Sequence, residues 1–364
     1  MGAVRRSHVA ALGAVAALLL LLLARLPPPP AAPAPRPAPA ATSPAPPPTT
    51  NRTAPPPPPP APLAQSPPPS PKPPPPPPPP PKPQPAGPHP VMTKEVYAAG
   101  HEKPHPELCP ALGARLKLMI LVTSAPSNAS ARDAVRLTWG HYTARVDVSM
   151  AFVLGMPPDS LKAAVDAEDA LYGDIIVGRF VDSYSNLTLK TLSMLEWIDT
   201  YCPRVPKILK TDDDMFINVP RLLQFASAPS RVNATKTIWG KVVKKSLPKR
   251  TTRSKYYVSP VQFPGKVFPD FATGPAYLIT ADAIGPLLAA ASSERYIRLE
   301  DVFVTGVLAN KLGIKRQHAP EFYNKKVAAH PCAVQRGVAI HMVRYHEQFD
   351  LWRKLLDGKT KCAS

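Results

Sequence analysis

Three consecutive carboxylates, Asp212, Asp213 and Asp214, are the residues best suited to chemistry in this chain. They follow the largely apolar run Lys207-Ile-Leu-Lys-Thr211, and apolar residues return at once with Met215, Phe216 and Ile217. Adjacent like charges in such a setting repel one another and lose hydration, so something positive must offset them. A divalent ion does this. Hard oxygen ligands suit Mg²⁺ or Mn²⁺, which bind through one or two carboxylates completed by substrate phosphates. The plainer alternatives are a solvated acidic turn and a structural calcium site, which would give metal-dependent stability without a linked ligand.

Other candidates are spread along the chain. Glu300 and Asp301 stand where an amphipathic helix opens, with Val304, Val307, Leu308 and Leu312 on one side and Gly313 at its close. Carboxylates there act as caps, or as a general base where one faces a cleft. His341 sits in the apolar run 337–343, either packed or bound to a metal. Arg132 and Arg136 lie four apart on one helical face, open to solvent or to a diphosphate. Gly274 stands between Phe271 and Tyr277, a pattern that fits close backbone approach to a sugar or an ordinary strand with a bulge. Residues 241–255 hold seven basic and no acidic residues. They read as a solvated loop or as a rim that attracts an anionic ligand.

Positioning these groups requires an alternating α/β frame. Residues 116–122 predict a buried strand, and Ser127 or Asn128 can cap a helix over 129–139 that Gly140 ends. Strands at 148–155 and 174–180 alternate with helices at 161–172 and 187–201, and the strand that delivers the triplet follows. Such an order predicts a mostly parallel sheet covered by helices on both faces. The triplet then lies at the carboxyl end of a strand, where such sheets bind ligands. No Gly-rich loop follows the first strand, which excludes the dinucleotide and P-loop fingerprints. Later segments predict a short helix after Pro220, strands at 268–280 and 337–343, and a packing helix at 348–356.

Not all 364 residues can enter that frame. Thirty-nine of the 54 prolines lie at or before Pro110. Residues 27–108 therefore read as a Pro-rich, semi-rigid stem, and residues 109–364 as a single folded domain. Sixteen uncharged apolar residues, 9–24, follow Arg5 and Arg6. We read residues 1–8 as a cytosolic tail and 9–26 as a signal-anchor transmembrane helix, with a cleaved signal peptide as the alternative. Either way the remainder enters the secretory lumen. Four cysteines suit that compartment, and of three connectivities the expected one is Cys109–Cys202 with Cys332–Cys362. N-glycosylation acceptors occur at Asn51, Asn128, Asn186 and Asn233. The formal charge is +19, and residues 109–364 hold 35 Lys/Arg against 22 Asp/Glu. A basic lumenal domain suits nucleotide diphosphates or acidic glycans, and export excludes nucleic acid as a partner.

With these pieces placed, the chain resembles the β1,3-galactosyltransferase and β1,3-N-acetylglucosaminyltransferase family. The resemblance rests on Arg136-Leu-Thr-Trp-Gly140, Asp182-Ser-Tyr-Ser-Asn-Leu-Thr-Leu-Lys190, Lys210-Thr-Asp-Asp-Asp214, Thr273-Gly-Pro-Ala-Tyr277 and Glu300-Asp-Val302, in the family's order. It implies a GT-A-like fold in one lumenal catalytic domain of a Golgi type II membrane enzyme. It implies inverting transfer from UDP-galactose to an acceptor glycan in β1,3 linkage, with UDP-N-acetylglucosamine as the alternative donor. It implies Mn²⁺ held by Asp214 with Asp212 and His341, and Asp301 as catalytic base. Arg132, Arg136, Lys190, Lys210 and Asp213 fall on the donor side, and Gly274, Tyr277 and Glu300 on the acceptor side. Many relatives carry Ser-Gly-x-Gly-Tyr where this chain has Thr273-Gly-Pro-Ala-Tyr277, so this stretch leaves the acceptor open. A non-catalytic lumenal chaperone or carbohydrate-binding module is the reading from a different class.

Overall fold

The computed structural model of the chain describes residues 89–362. The expected tail and anchor, most of the Pro-rich stem and the Asn51 sequon lie outside the described residues. Among the described residues no helix is long and apolar enough to cross a membrane.

Four strands form the parallel heart of the domain: β2 (Leu118–Thr123), β3 (Val148–Met156), β4 (Ile175–Val181) and β5 (Lys207–Asp212), after a short leading strand, β1 (His101–Lys103). They lie in the order β4-β3-β2-β5, joined by crossovers through α1 (Ala129–Arg136), α2 (Asp159–Tyr172) and α3 (Leu187–Tyr201). The period-two alternation of β2 sends Met119 and Leu121 to one core, and Leu118, Ile120 and Val122 to the other. All six residues of β2 are buried, because helices cover both faces. One core gathers Leu192, Leu195 and Ile198 of α3; the other gathers Val135, Trp139 and Val165.

Beyond β5 the next two strand pairings are antiparallel and the last, at the sheet edge, is parallel. A two-residue strand, β6 (Phe216–Ile217), and helix α4 (Val219–Ser227) lead to β7 (Thr237–Val243). The strand β8 (Phe271–Thr280) pairs antiparallel with both β5 and β7, and β9 (Lys315–His318) pairs with the far side of β7. Helix α5 (Ile284–Ser292) and a π-helical segment, Val302–Leu308, pack beneath. A second, three-stranded sheet joins β10 (Phe322–Tyr323), β11 (Ala339–Ile340) and β6 in that order. The last helix is α6 (Tyr345–Leu355).

Several boundaries differ from the sequence reading. Folded structure starts before Cys109: β1 pairs antiparallel with β4 at the sheet edge, and the Trp197 indole donates to the Pro104 carbonyl. Residues 91–103 contain no proline, so they can supply the N–H groups that the stem lacks. Helix α1 stops at Arg136, short of Gly140, because the Thr138 hydroxyl bonds back to the Ala134 carbonyl at 2.6 Å and Trp139 turns inward. The strand expected over 337–343 shrinks to Ala339–Ile340, since Met342 adopts φ +62°. Cys109 pairs with Cys202 and Cys332 with Cys362, at Cα separations of 5.5 and 5.3 Å.

Candidate active site

The triplet lies where parallel pairing gives way to antiparallel, at the carboxyl end of β5. Register sets Asp212 opposite Thr123 of β2, whose hydroxyl donates to Asp212 Oδ1 at 2.5 Å. Asp213 turns under the β2–α1 connection, where its Oδ2 accepts from Ser124 Oγ at 2.7 Å and Asn128 Nδ2 at 3.0 Å. Burial raises the Asp213 carboxyl above its ordinary value, against those two donors. Asp214 points outward, with its side chain 50% exposed. The turn is pinned from below, because the Met215 carbonyl accepts from Trp139 Nε1 at 3.1 Å and Gln348 Nε2 at 3.0 Å.

The small sheet brings the distant His341 to this turn. Antiparallel pairing sets Ile340 against Phe216, so the residue after Ile340 faces the end of the triplet. His341 Nε2 lies 3.4 Å from Asp214 Oδ2, and Val343 N–H donates to the Asp214 carbonyl at 2.9 Å. Burial works against a charged His341 ring, but Asp214 beside it lifts its pKa above the ordinary value.

A buried lysine links the triplet to the second carboxylate pair. Lys210 Nζ reaches Asp212 Oδ1 at 2.6 Å, Glu300 Oε1 at 3.2 Å and the Gly274 carbonyl at 2.7 Å. Burial disfavours its charge, yet the two carboxylates hold its pKa well above the usual lysine value. Glu300 is buried too, with Oε2 near Thr191 Oγ1 at 3.2 Å and Tyr277 Oη at 3.4 Å. Burial pushes Glu300 up to about 7, against the pull of Lys210.

Asp301, next in sequence, is only half-buried. Its Oδ1 accepts from Val302 N–H at 2.9 Å and its Oδ2 from Gly274 N–H at 3.1 Å. It therefore caps the π-helical segment while keeping lone pairs on both oxygens. Burial raises its pKa, which those two N–H groups oppose, and this makes it a better proton acceptor than a solvated aspartate. Gly274 is needed here: a Cβ would stand 2.7 Å from Glu300 Oε1.

Several residues expected to touch ligands instead hold the frame. Arg132 is fully buried and salt-bridged to Glu168 at 2.6 Å; it reaches the triplet only through Ser124 Oγ at 2.9 Å. Arg136 lies one turn further along α1, held by Asp174 at 2.7 Å and Glu168 at 2.8 Å and stacked on Tyr172. The structure does not bring Arg136 to the carboxylates. Lys190 is buried between Asp182, at 2.9 Å, and the Ser124 carbonyl, and burial lowers its pKa. Tyr277 and Glu300 are buried and do not line the cleft beside the triplet; the Tyr277 hydroxyl, Thr191 and Lys210 offset the cost of burying the Glu300 carboxyl.

A cleft of about 560 Å³ opens beside Asp213 and Asp214, and it exposes groups that pattern reasoning missed. Arg344, exposed and without an ion-pair partner among the described residues, lines it together with Lys326, Met342 and Asn128. Arg344 has no motif; its only sequence signal is its place three residues after His341. Asn128 sits at the amino end of α1, yet its amide bonds Asp213 instead of capping the helix, which ties this sequon to the cleft. Asn233 is exposed and Asn186 Nδ2 bonds the Val181 carbonyl at 2.9 Å. A second cleft, of about 600 Å³, lies near Val148 and Arg136 at the amino ends of the strands, the end that open α/β sheets do not use for ligands.

Among the described residues no three His, Cys, Asp or Glu side chains form a ready metal cage. The Asp214–His341 separation of 3.4 Å is still close to the roughly 3 Å between two neighbouring ligands on one ion held at about 2.1 Å. These residues fit an open site completed by a substrate, not a closed one.

The family model described as Galactosyltransferase matches residues 130–320, more than half of the chain. The chain belongs to the galactosyltransferase family. The match includes the triplet, Lys210, Gly274, Glu300 and Asp301; His341 and Arg344 lie beyond its end. The chain is 32% identical over 271 residues to a human lactosylceramide 1,3-N-acetyl-beta-D-glucosaminyltransferase, covering 71% of each chain. It is 32% identical over 245 residues to human beta-1,3-galactosyltransferase 1, covering 66% of this chain and 74% of the relative. A chain of this family is a hexosyltransferase.

Proposed function

We propose that this protein transfers galactose from UDP-galactose to a hydroxyl of an acceptor glycan, forming a β1,3 linkage with inversion. The observation that carries the reading is the Lys210 bridge. One buried cation ties Asp212, on the side of Asp214 and His341, to Glu300, the neighbour of Asp301. The two halves of a transfer site are thereby held in one rigid unit.

Asp301 takes the proton of the attacking hydroxyl, and its raised pKa suits that task. Gly274 and Val302 N–H groups hold its carboxylate in place, so little reorganisation is needed as the proton arrives. Arg344, free at the cleft rim, is positioned to contact the anionic donor. Asp214 and His341 would hold Mn²⁺, with Asp212 close by; when bound, the ion neutralises charge on the departing diphosphate. We further propose that residues 9–26 anchor the protein in the Golgi membrane as a type II protein, with the catalytic domain lumenal.

A second donor, UDP-N-acetylglucosamine, is favoured by the N-acetylglucosaminyltransferase among the relatives. The test uses the full-length protein with each donor, a panel of simple glycosides, and Mn²⁺ or a chelator. Metal-dependent transfer from one donor, lost in Asp214→Ala and Asp301→Asn, supports the reading. Near-normal turnover by a folded Asp301→Asn variant would remove the base assignment. Failure to bind UDP with Mn²⁺ would favour a non-catalytic binding role. Membrane recovery of the full chain, lost when residues 9–26 are deleted, tests the anchor.

A further inference from the structure

Between β7 and β8 the chain leaves the sheet for residues 244–270. From Lys241 to Pro269 there are eight Lys/Arg and no Asp/Glu. This excursion is built, not loose. The Arg250 guanidinium donates to the carbonyls of Val258 and Phe263 at 2.8 Å and of Gly265 at 3.0 Å. Val258 is fully buried, and Phe268 packs against Phe263 and Phe271 with ring centroids 4.9 and 6.4 Å apart. Arg250 thus serves the loop's own fold. Lys244, Lys245, Lys249, Arg253, Lys255 and Lys266 are exposed, and none forms an ion pair among the described residues. An ordered loop that gathers unpaired cations has a ligand-facing charge that its own carboxylates do not cancel.

The loop reaches the base. Arg298, three residues before Asp301, donates to the Lys255 carbonyl. On the other side of the same segment, Tyr296 Oη donates to the Ser185 carbonyl at 3.2 Å and Thr188 Oγ1 to the Ile297 carbonyl at 2.7 Å. Tyr184 and Tyr256 each adjoin a residue bonded to this segment, Ser185 and Lys255, and are 57% and 48% exposed, with Lys255 Nζ 4.9 Å from the Tyr256 ring centroid. Burial raises the Tyr184 phenol, and Tyr256, Lys255, Asp301 and Arg298 all stand close enough to act on it. Exposed phenol faces suit sugar rings, and flanking cations suit a carboxylate or sulfate.

We propose that this mouth selects acceptor glycans carrying an anionic group beside the sugar that receives the transfer, with Lys255 and Arg298 on the anion and Tyr184 and Tyr256 against the ring. The inference rests on the reading of Asp301 as the acceptor-side base. It is tested with the full-length protein in detergent with Mn²⁺, comparing matched disaccharide acceptors that are neutral, carboxylate-bearing or sulfated. The expected result is a kcat/KM at least about tenfold higher for one or both anionic acceptors, an advantage that shrinks as salt rises from about 0.05 to 0.5 M. The two anionic arms identify which anion fits. In Lys255→Gln, a surface change that leaves the Arg250 framework intact, and separately in Arg298→Gln, the anionic-to-neutral ratio falls toward one.

Equal kcat/KM for matched acceptors, with transfer to the neutral one detected, would overturn this inference and leave the sugar-transfer reading standing. A raised KM for the UDP-sugar with an unchanged acceptor ratio would assign the cations to the donor and overturn it as well. So would Lys255-dependent binding to anionic lipid vesicles without any acceptor preference. No transfer to any acceptor from either donor would overturn both readings together.

Discussion

Gly274 shows how tightly residue chemistry constrains this site. Its N–H holds Asp301, its carbonyl accepts from Lys210, and a Cβ there would meet Glu300 at 2.7 Å. Gly274→Ala should cost about 1–3 kcal/mol of stability and lower kcat by about tenfold to a hundredfold, read by thermal unfolding and steady-state transfer. Unchanged values would mean that Glu300 yields freely. Glu300 itself gives a pH signature. Its carboxyl is raised in the folded protein, from 4.5 up to about 7, so the native state keeps a proton that the unfolded chain releases. The stability this contributes is fully present below about 4.5 and is lost as pH rises through about 7. In metal-free buffer, the stability of the wild type relative to Glu300→Gln should fall by up to about 3 kcal/mol between pH 5 and 8. Parallel pH profiles for the two proteins would contradict this. The triplet, Asp301 and Gly274 are legible in the sequence because each breaks a local pattern: charge within an apolar run, or glycine among aromatics. Arg344 breaks none, and neither a motif nor a period marks it.

At the scale of elements, helix α1 is held by ion pairs that the sequence leaves ambiguous. Spacing shows Arg132 and Arg136 on one face; it does not show that α2 supplies Glu168 between them, 2.6 and 2.8 Å away. Glu168→Ala should leave Arg132 buried without a counter-charge, at a cost of about 3 kcal/mol or more. The donor KM of the folded fraction should stay within about twofold. A raised donor KM at unchanged stability would instead assign Arg132 to the donor. The parallel half is legible because its strands are long apolar runs separated by helices of clear period. The carboxyl-terminal third is not, since β6, β10 and β11 are two residues each and too short to show a period. His341 reaches Asp214 through those short strands, so its placement comes from tertiary pairing alone.

For the whole molecule, the folded unit extends beyond the proline boundary. β1 covers the edge of β4, and Tyr97 Oη donates to Glu196 at 2.5 Å. A protein beginning at residue 89 should fold as well as one with the full stem. One beginning at residue 109 should lose several kcal/mol, expose Trp197 and aggregate through the bare β4 edge. Comparing the two by thermal unfolding and light scattering checks this, and equal behaviour would show β1 to be dispensable.

The excursion between β7 and β8 departs after Val243 and returns at Phe271, two residues that face each other in the antiparallel ladder. Its two ends are therefore already clasped by the sheet, and its interior is folded by Arg250 and by Val258 and Phe268, which enter the domain core. A segment joined in this way can be lengthened at its exposed turn, residues 251–253, without disturbing Lys210 or Asp214, while its Lys255 carbonyl remains tied to Arg298 on the segment that carries Asp301. If the loop selects the acceptor as proposed, grafting residues 244–270 together with the Arg298 segment onto a relative redirects which glycan is extended.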